Sequence, residues 1–310
     1  MQSQTEDPGL GEKYLDKATR LINQDGSFNI IRTGGGFHYK DSYQFLINLS
    51  WPKFLLLIVA FYFSLNIIFS LLYSMVGLNH LRGLHSGSVM DSWSDAFFFS
   101  VQTFTTVGYG GILPEGISAN LIAAIEAMTG LLSFAIITGL LYGRFSRPSS
   151  RILYSRNMLI APHEGKRSIQ FRIANQRRNV LMELQATILY SHIDYSTPEP
   201  KRKYFDLRLE RDSVYFFPLN WTIVHIIDEN SPLYNKSLED IRAINAEFLI
   251  LIKGFDDTFS QQVHSRYSYR AEEIIEGARF TKAYSSDDQG IVLFPIQNIH
   301  NFEKTDVPQS

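Results

Sequence analysis

At residues 105–110 the chain reads Thr-Thr-Val-Gly-Tyr-Gly, two hydroxyls followed by glycines at alternate positions. Gly108 and Gly110 can adopt backbone angles closed to other residues, so successive carbonyls can be turned to one side. Thr106, Val107, Gly108 and Tyr109 would then present a ladder of oxygens, with the Thr106 hydroxyl at its inner end. Oxygens so arranged, contributed by several copies around one axis, take the place of the water around a dehydrated cation. A Gly-Tyr-Gly by itself is ordinary turn chemistry, so the meaning of the stretch depends on what holds it.

What holds it is a pair of apolar runs. From Phe54 to Leu81 there is no Asp, Glu, Lys or Arg, and from Gly116 to Gly143 the one exception is Glu126. Each run exceeds the roughly 20 residues with which a helix spans a bilayer. The segment Ser94–Phe104, just ahead of the turn, predicts a helix of about three turns and roughly 16 Å, half the hydrocarbon core. Such a segment enters the membrane and returns. Its non-helical continuation survives there only where protein or a water-filled pore satisfies it. The C-terminal end of that helix aims partial negative charge inward, which favours a cation. An acid inside a span, such as Glu126, is expected to be paired or functional. It is expected near the turn, bonded to Gln102 or to the backbone of the short helix.

Flanking charge sets the orientation. Arg32, Lys40 and Lys53 precede the first run and Arg144, Arg147, Arg151 and Arg156 follow the second, whereas the connection holds Arg82 with Asp91, Asp95 and Glu115. The positive-inside bias places both termini in the cytoplasm. The polar N-terminal stretch lacks the charged-then-apolar pattern of a signal peptide. Trp51 suits an interfacial position and Pro52 the first turn of a helix. Tyr39, Tyr43, Leu46 and Ile47 share a face at helical spacing. That fits a short amphipathic helix on the membrane surface, with a solvent-facing loop as the alternative.

After Pro148 the texture changes to short, β-rich, partly alternating segments: SIQFRIA, LMELQATIL, YFDLRLE, TIVHIID and EFLILI. Turn-rich stretches separate them, as in an antiparallel sandwich. The segment SLEDIRAINA reads as one interrupting helix with Ser237 as its N-cap. Residues Ser196–Lys203, with two prolines and three basic residues, read as an exposed loop.

Several blocks carry a family resemblance. AFFFSVQTFTTVGYG resembles the pore segment of the inward rectifier potassium channel family, and T-V-G-Y-G is the filter loop of potassium channels. LSWPKFLLL and TGLLYGRFSRP are similar to the start of the outer helix and the end of the inner helix in its prokaryotic members. FRIANQRRNVLMELQATILY, TIVHIIDENSPLY and VHSRYSYRAEEIIEGARF are similar to blocks of its cytoplasmic domain, so the match runs from about Gly26 to Phe302. The resemblance implies a homotetramer in the cell membrane. Each chain would supply a membrane α-helical pore of two transmembrane helices plus a re-entrant pore helix, and a C-terminal all-β immunoglobulin-like sandwich. The expected divisions are an N-terminal cytoplasmic segment 1–37, a slide helix 38–50, a pore domain 51–147, a cytoplasmic β domain 148–302 and a tail 303–310.

Residue by residue, the resemblance implies K+ coordination at Thr106, Val107, Gly108, Tyr109 and Gly110, with Gln102 and Glu126 as filter support. Many relatives carry Glu where Gln102 stands, so a charge is missing behind the filter. Tyr142 falls at the bundle-crossing gate, with Thr138 one turn above it; an interfacial aromatic is the alternative for Tyr142. Gly130 and Gly139 match proposed bending points, or else sites of close helix packing. Phe134 replaces the cavity acid with which strong rectifiers bind Mg2+ and polyamines, so block through that site should be weak. Trp51, Lys53, Arg144, Arg147 and Arg151 stand where anionic membrane lipids bind; positive-inside topology also explains the arginines. Glu183 matches an acid of the cytoplasmic pore, or is a solvated strand residue.

Several classes are excluded. There is no cysteine, hence no disulfide, thiolate metal site or cysteine nucleophile. Lys and Arg total 29 against 31 Asp and Glu, a net charge of -2 that gives no footprint for nucleic acid. No P-loop, H-E-x-x-H or nucleophile elbow points to an enzyme, and no cofactor is expected beyond K+ ions in the filter. Two rivals remain: a two-span potassium channel gated by an unknown cytoplasmic ligand, and a non-conducting membrane-anchored sensor. No G-x-G-x-x-G follows the second run, which disfavours the first, and the second leaves the pore segment without a purpose.

Overall fold

A computed structural model describes residues 4–5, 7–11, 20–31, 33–34, 42–85, 88–146, 150–196 and 198–306. Tyr39, Arg32, Lys40 and Arg147 lie outside the described residues, as does the start of the expected slide helix. The chain divides into two compact units, Gly34–Arg147 and a second formed by Met1–Thr33 with Pro148–Ser310.

The first unit is helical. A short helix α1 (Ser42–Asn48) precedes α2 (Trp51–Val76), which begins with Pro52 in its first turn and ends at Gly77 with φ 111°. Then come α3 (Val89–Phe104) and α4 (Gly116–Phe145). Helices α2 and α4, at 26 and 30 residues, are long and apolar enough to cross a membrane. They would measure about 39 and 45 Å. Most of their apolar side chains face outward, as lipid or neighbouring copies require. One buried cluster, Phe69, Tyr73, Leu81, Ala96 and Phe99, packs together where α2, α3 and the connections meet.

The second unit is a two-sheet β structure. One sheet orders Lys201–Asp206, Leu181–Asp194, Glu247–Asp256 and Gln261–Arg270 antiparallel, with Ser213–Phe216 also on Leu181–Asp194 and Gln4–Thr5 on the Lys201 edge. The other orders Asn220–Ile226, Lys166–Asn175 and Met158–His163, with Ile274–Glu276 added in parallel and Ile152–Tyr154 on Lys166–Asn175. Ile160, Ile169, Phe171, Ile188, Phe248 and Ile250 belong to one core shared by the sheets. Helix α5 (Leu238–Ala243) has the expected N-cap: Ser237 and Asp240 form a reciprocal capping box.

Two readings of this unit are corrected. Lys201–Lys203 belongs to a strand rather than the exposed loop that the basic composition suggested. Within it Arg202 turns inward, donates to Ser191 Oγ at 2.8 Å and lies 3.9 Å from Glu247, which offsets its burial. The strand expected over YFDLRLE stops at Asp206.

The N-terminal segment of this unit is pinned to the sheet. Glu247 accepts from the Leu21 amide at 3.0 Å, and Arg20 donates to Glu273 at 2.6 Å and to Ser268 Oγ at 2.9 Å. The histidines inside are structural. His225 Nδ1 donates to Arg208 O at 2.7 Å while Ser231 Oγ donates to Nε2 at 2.8 Å, and burial lowers its pKa. His192 is pushed down to about 4, first by burial and then by Lys236 and Lys203. No metal-holding group of side chains occurs among the described residues.

Candidate functional site

The site begins with a capped helix. Ser88 accepts from the Asp91 amide at 3.3 Å and the Asp91 carboxylate accepts from the Ser88 amide at 2.7 Å, so α3 starts at Val89 rather than at Ser94. Its 16 residues measure about 24 Å, still short of a bilayer core of about 30 Å. At its end the last carbonyls are drawn into the loop. Gln102 O accepts from the Val107 amide at 2.9 Å and from Gly108 at 3.3 Å, and Thr103 O from Thr106 at 3.0 Å. Gln102 thus holds the loop through its backbone.

The loop alternates in handedness. Thr106, Gly108 and Gly110 have φ of 57°, 53° and 82°, while Val107 and Tyr109 between them do not take positive φ. Alternating handedness of this kind is what a ladder of carbonyl oxygens facing one side requires. The glycines were expected to provide it; Thr106 joins them, although left-handed backbone is costly for a β-branched residue. Tyr109 is 81% exposed in the single chain. Beyond the loop the chain is tied back to the end of α2. Leu81–Arg82 pairs with Leu113–Pro114, and His80 O accepts from the Glu115 amide at 2.7 Å.

Helix α4 seats α3 at two points. A Cβ on Gly130 would lie 1.9 Å from Phe104 O, so Gly130 is where the backbone of α3 rests directly on α4. One turn earlier, Glu126 is fully buried. Its carboxyl accepts from Tyr73 Oη of α2 at 2.7 Å and contacts Ser100 Oγ of α3. Its partners are these two hydroxyls rather than Gln102 or the backbone of α3: Ser100 lies on the buried face of α3, one turn before the seated Phe104. Tyr73, Ser100 and the buried Asn66 were not foreseen. Their signal was available as polar residues on otherwise apolar buried faces.

Lower on α4, Phe134, Thr138 and Tyr142 follow at i, i+4 and i+8. Phe134 and Tyr142 are 72% and 74% exposed in the single chain. The Thr138 hydroxyl donates to Phe134 O at 2.8 Å. Gly139 has open space where a Cβ would stand, unlike Gly130.

Arg144, in the last turn of α4, reaches α1. Its terminal nitrogens donate to Leu46 O, Ile47 O and Leu49 O, each at 2.8 Å. The guanidinium also lies 4.6 Å from the Trp51 ring centroid and 4.4 Å from that of Phe54. Leu46 O and Ile47 O are C-terminal acceptors of α1 and Leu49 O follows the helix end, where a cation is well placed. Gly143 lets α1 approach, since a Cβ there would be 2.7 Å from Tyr43 Oη. Arg144 therefore spends its terminal donors on protein, whereas Lys53 and Arg151 are exposed. Trp51 also packs against Phe145, with ring centroids 5.0 Å apart and the planes tilted by 43°. Glu183, in the other unit, sits exposed at a bulge with φ 51°, where pairing slips opposite Gly254. A bulge re-aims its side chain away from strand alternation.

Comparison with known proteins bears on this geometry. The family described as "Inward rectifier potassium channel C-terminal domain" matches residues 152–310, and that described as "Ion channel" matches residues 54–147. The inward rectifier potassium channel Kirbac3.1 of Paramagnetospirillum magnetotacticum is 37% identical over 294 residues, 94% of this chain and 98% of that protein. The ATP-sensitive inward rectifier potassium channel 11 of Cavia porcellus is 25% identical over 299 residues, 88% of this chain and 75% of that one. The inward rectifier potassium channel irk-1 of Caenorhabditis elegans is 25% identical over 290 residues, 86% of this chain and 53% of that one. A two-span membrane topology, a β-rich second unit and these matches together place the chain in the inward rectifier potassium channel family.

Proposed function

We propose that four copies of this chain conduct K+ passively across the membrane through a filter of Thr106, Val107, Gly108, Tyr109 and Gly110. The observation that carries this reading is the alternation of φ along the loop at the end of a short docked helix. Four such loops around an axis give rings of carbonyl oxygens that substitute for the ion's water. The C-terminal end of α3 adds partial negative charge where the ion arrives.

Tyr142 narrows the inner end of the path, with Thr138 above it, and movement of the β unit widens it. Phe134 gives Mg2+ and polyamines no carboxylate to pair with, so their block is weak. Lys53 and Arg151 attract anionic lipid, and Glu183 draws cations toward the cytoplasmic entrance. Rubidium uptake into liposomes holding the purified full-length protein tests the reading. Barium-sensitive uptake against a potassium gradient is expected; uptake no greater than in protein-free liposomes would favour a non-conducting sensor.

A further inference from the structure

The buried acid of α4 carries an inference of its own, which deepens the reading of residues 106–110 as the filter and rests on it. Three contacts between side-chain oxygens run in a chain through the space between α2, α3 and α4. Tyr73 Oη meets Glu126 Oε2 at 2.7 Å, Glu126 Oε1 meets Ser100 Oγ, and Ser100 Oγ meets Asn66 Oδ1 at 3.2 Å, with the Asn66 backbone O also at 3.2 Å from that hydroxyl. Glu126, Ser100 and Asn66 are fully buried, and Tyr73 is nearly so.

Each contact needs one proton between its oxygens. Tyr73 and Ser100 bring one hydroxyl proton each. Asn66 brings none, because its Nδ2 donates to Tyr62 O at 2.8 Å, which fixes the oxygen of the amide toward Ser100. Were Glu126 a carboxylate, Ser100 would have to serve either Glu126 or Asn66, and one buried contact would be two acceptors facing each other. Such an orphan is costly in a dry interior.

We propose that Glu126 is a neutral acid: Tyr73 donates to Oε2, Glu126 donates through Oε1 to Ser100, and Ser100 donates to Asn66. The third proton completes the chain, and no net charge is left in the membrane. The acid is a positioning residue. With the Gly130 seat one turn below, it fixes the height of α3 on α4, and through Phe104 the start of the filter. Tyr73 is the titratable side chain in contact with it.

The test combines a spectroscopic signature with a conservative variant, both in the full-length channel in lipid. Infrared difference spectra of wild type against Glu126→Gln should show the C=O stretch of a protonated carboxylic acid at neutral pH. Glu126→Gln can accept from Tyr73 and donate to Ser100, as the neutral acid does, so its K+/Na+ permeability ratio should stay within about twofold of wild type. Ser100→Ala breaks the chain in the middle and should lower that ratio about tenfold. A carboxylate band at neutral pH, or a Glu126→Gln channel as impaired as Ser100→Ala, would overturn the proposal. Absence of K+ selectivity in wild type would instead sink the filter reading and leave the infrared result to decide the protonation state.

Discussion

Under the proposed function, Phe134 sets how weakly polyamines block. It lies on the face of α4 shared with Thr138 and Tyr142, without a carboxylate for a polyamine to meet. Phe134→Glu should therefore tighten block by cytoplasmic spermine by about tenfold or more, the effect of roughly one additional ion pair at each binding event. Steady-state block measured over a range of voltages checks this, and strong block already in wild type would contradict it. At this scale the unusual backbone at Gly108 and Gly110 was legible, because alternate glycines announce it. The left-handed Thr106 was not, since only the surrounding structure imposes that conformation on a β-branched residue. Nor was the partner of Glu126. An acid in a membrane helix must be satisfied, but the hydroxyls that satisfy it come from α2 and α3, far away in sequence.

Among the elements, the junction of α1 with α4 was the least expected. Positive charge after the second span suggested lipid contact for Arg144, yet its fork closes the C-terminal end of a helix of 7 residues. A helix that short does not hold itself in water. Hydrogen bonds to a charged donor contribute about 1.5–3 kcal/mol each, so Arg144→Met should release α1. The expected result is altered open probability with unchanged unitary conductance, read from single-channel records. Unaltered gating in that variant would show that α1 has no hold on α4. Other elements were legible in part. A Ser-x-x-Asp box at Ser88 marked the true start of α3. The hairpin joining Met158–His163 to Lys166–Asn175 was signalled by Glu164-Gly165, both at positive φ in the turn. The buried bonds of Arg202 could not be seen, since composition does not distinguish an inward arginine from an exposed one.

For the whole molecule, the division into an apolar helical unit and a β unit follows from hydropathy and strand spacing, and both are present. The fourfold arrangement is different. A single chain leaves exposed the surfaces open to such an arrangement: the Tyr109 ring, the stripe of Phe134 and Tyr142, and the outward faces of α2 and α4. Within one chain the loop can be shaped for a cation but cannot surround one, so selectivity belongs to the assembly. The central claim is that this assembly passes K+ and rejects Na+. The reversal potential of the reconstituted channel, with K+ on one side of the bilayer and Na+ on the other, tests it most directly. A value displaced strongly toward the K+ equilibrium potential is predicted, and a reversal near zero would contradict the account.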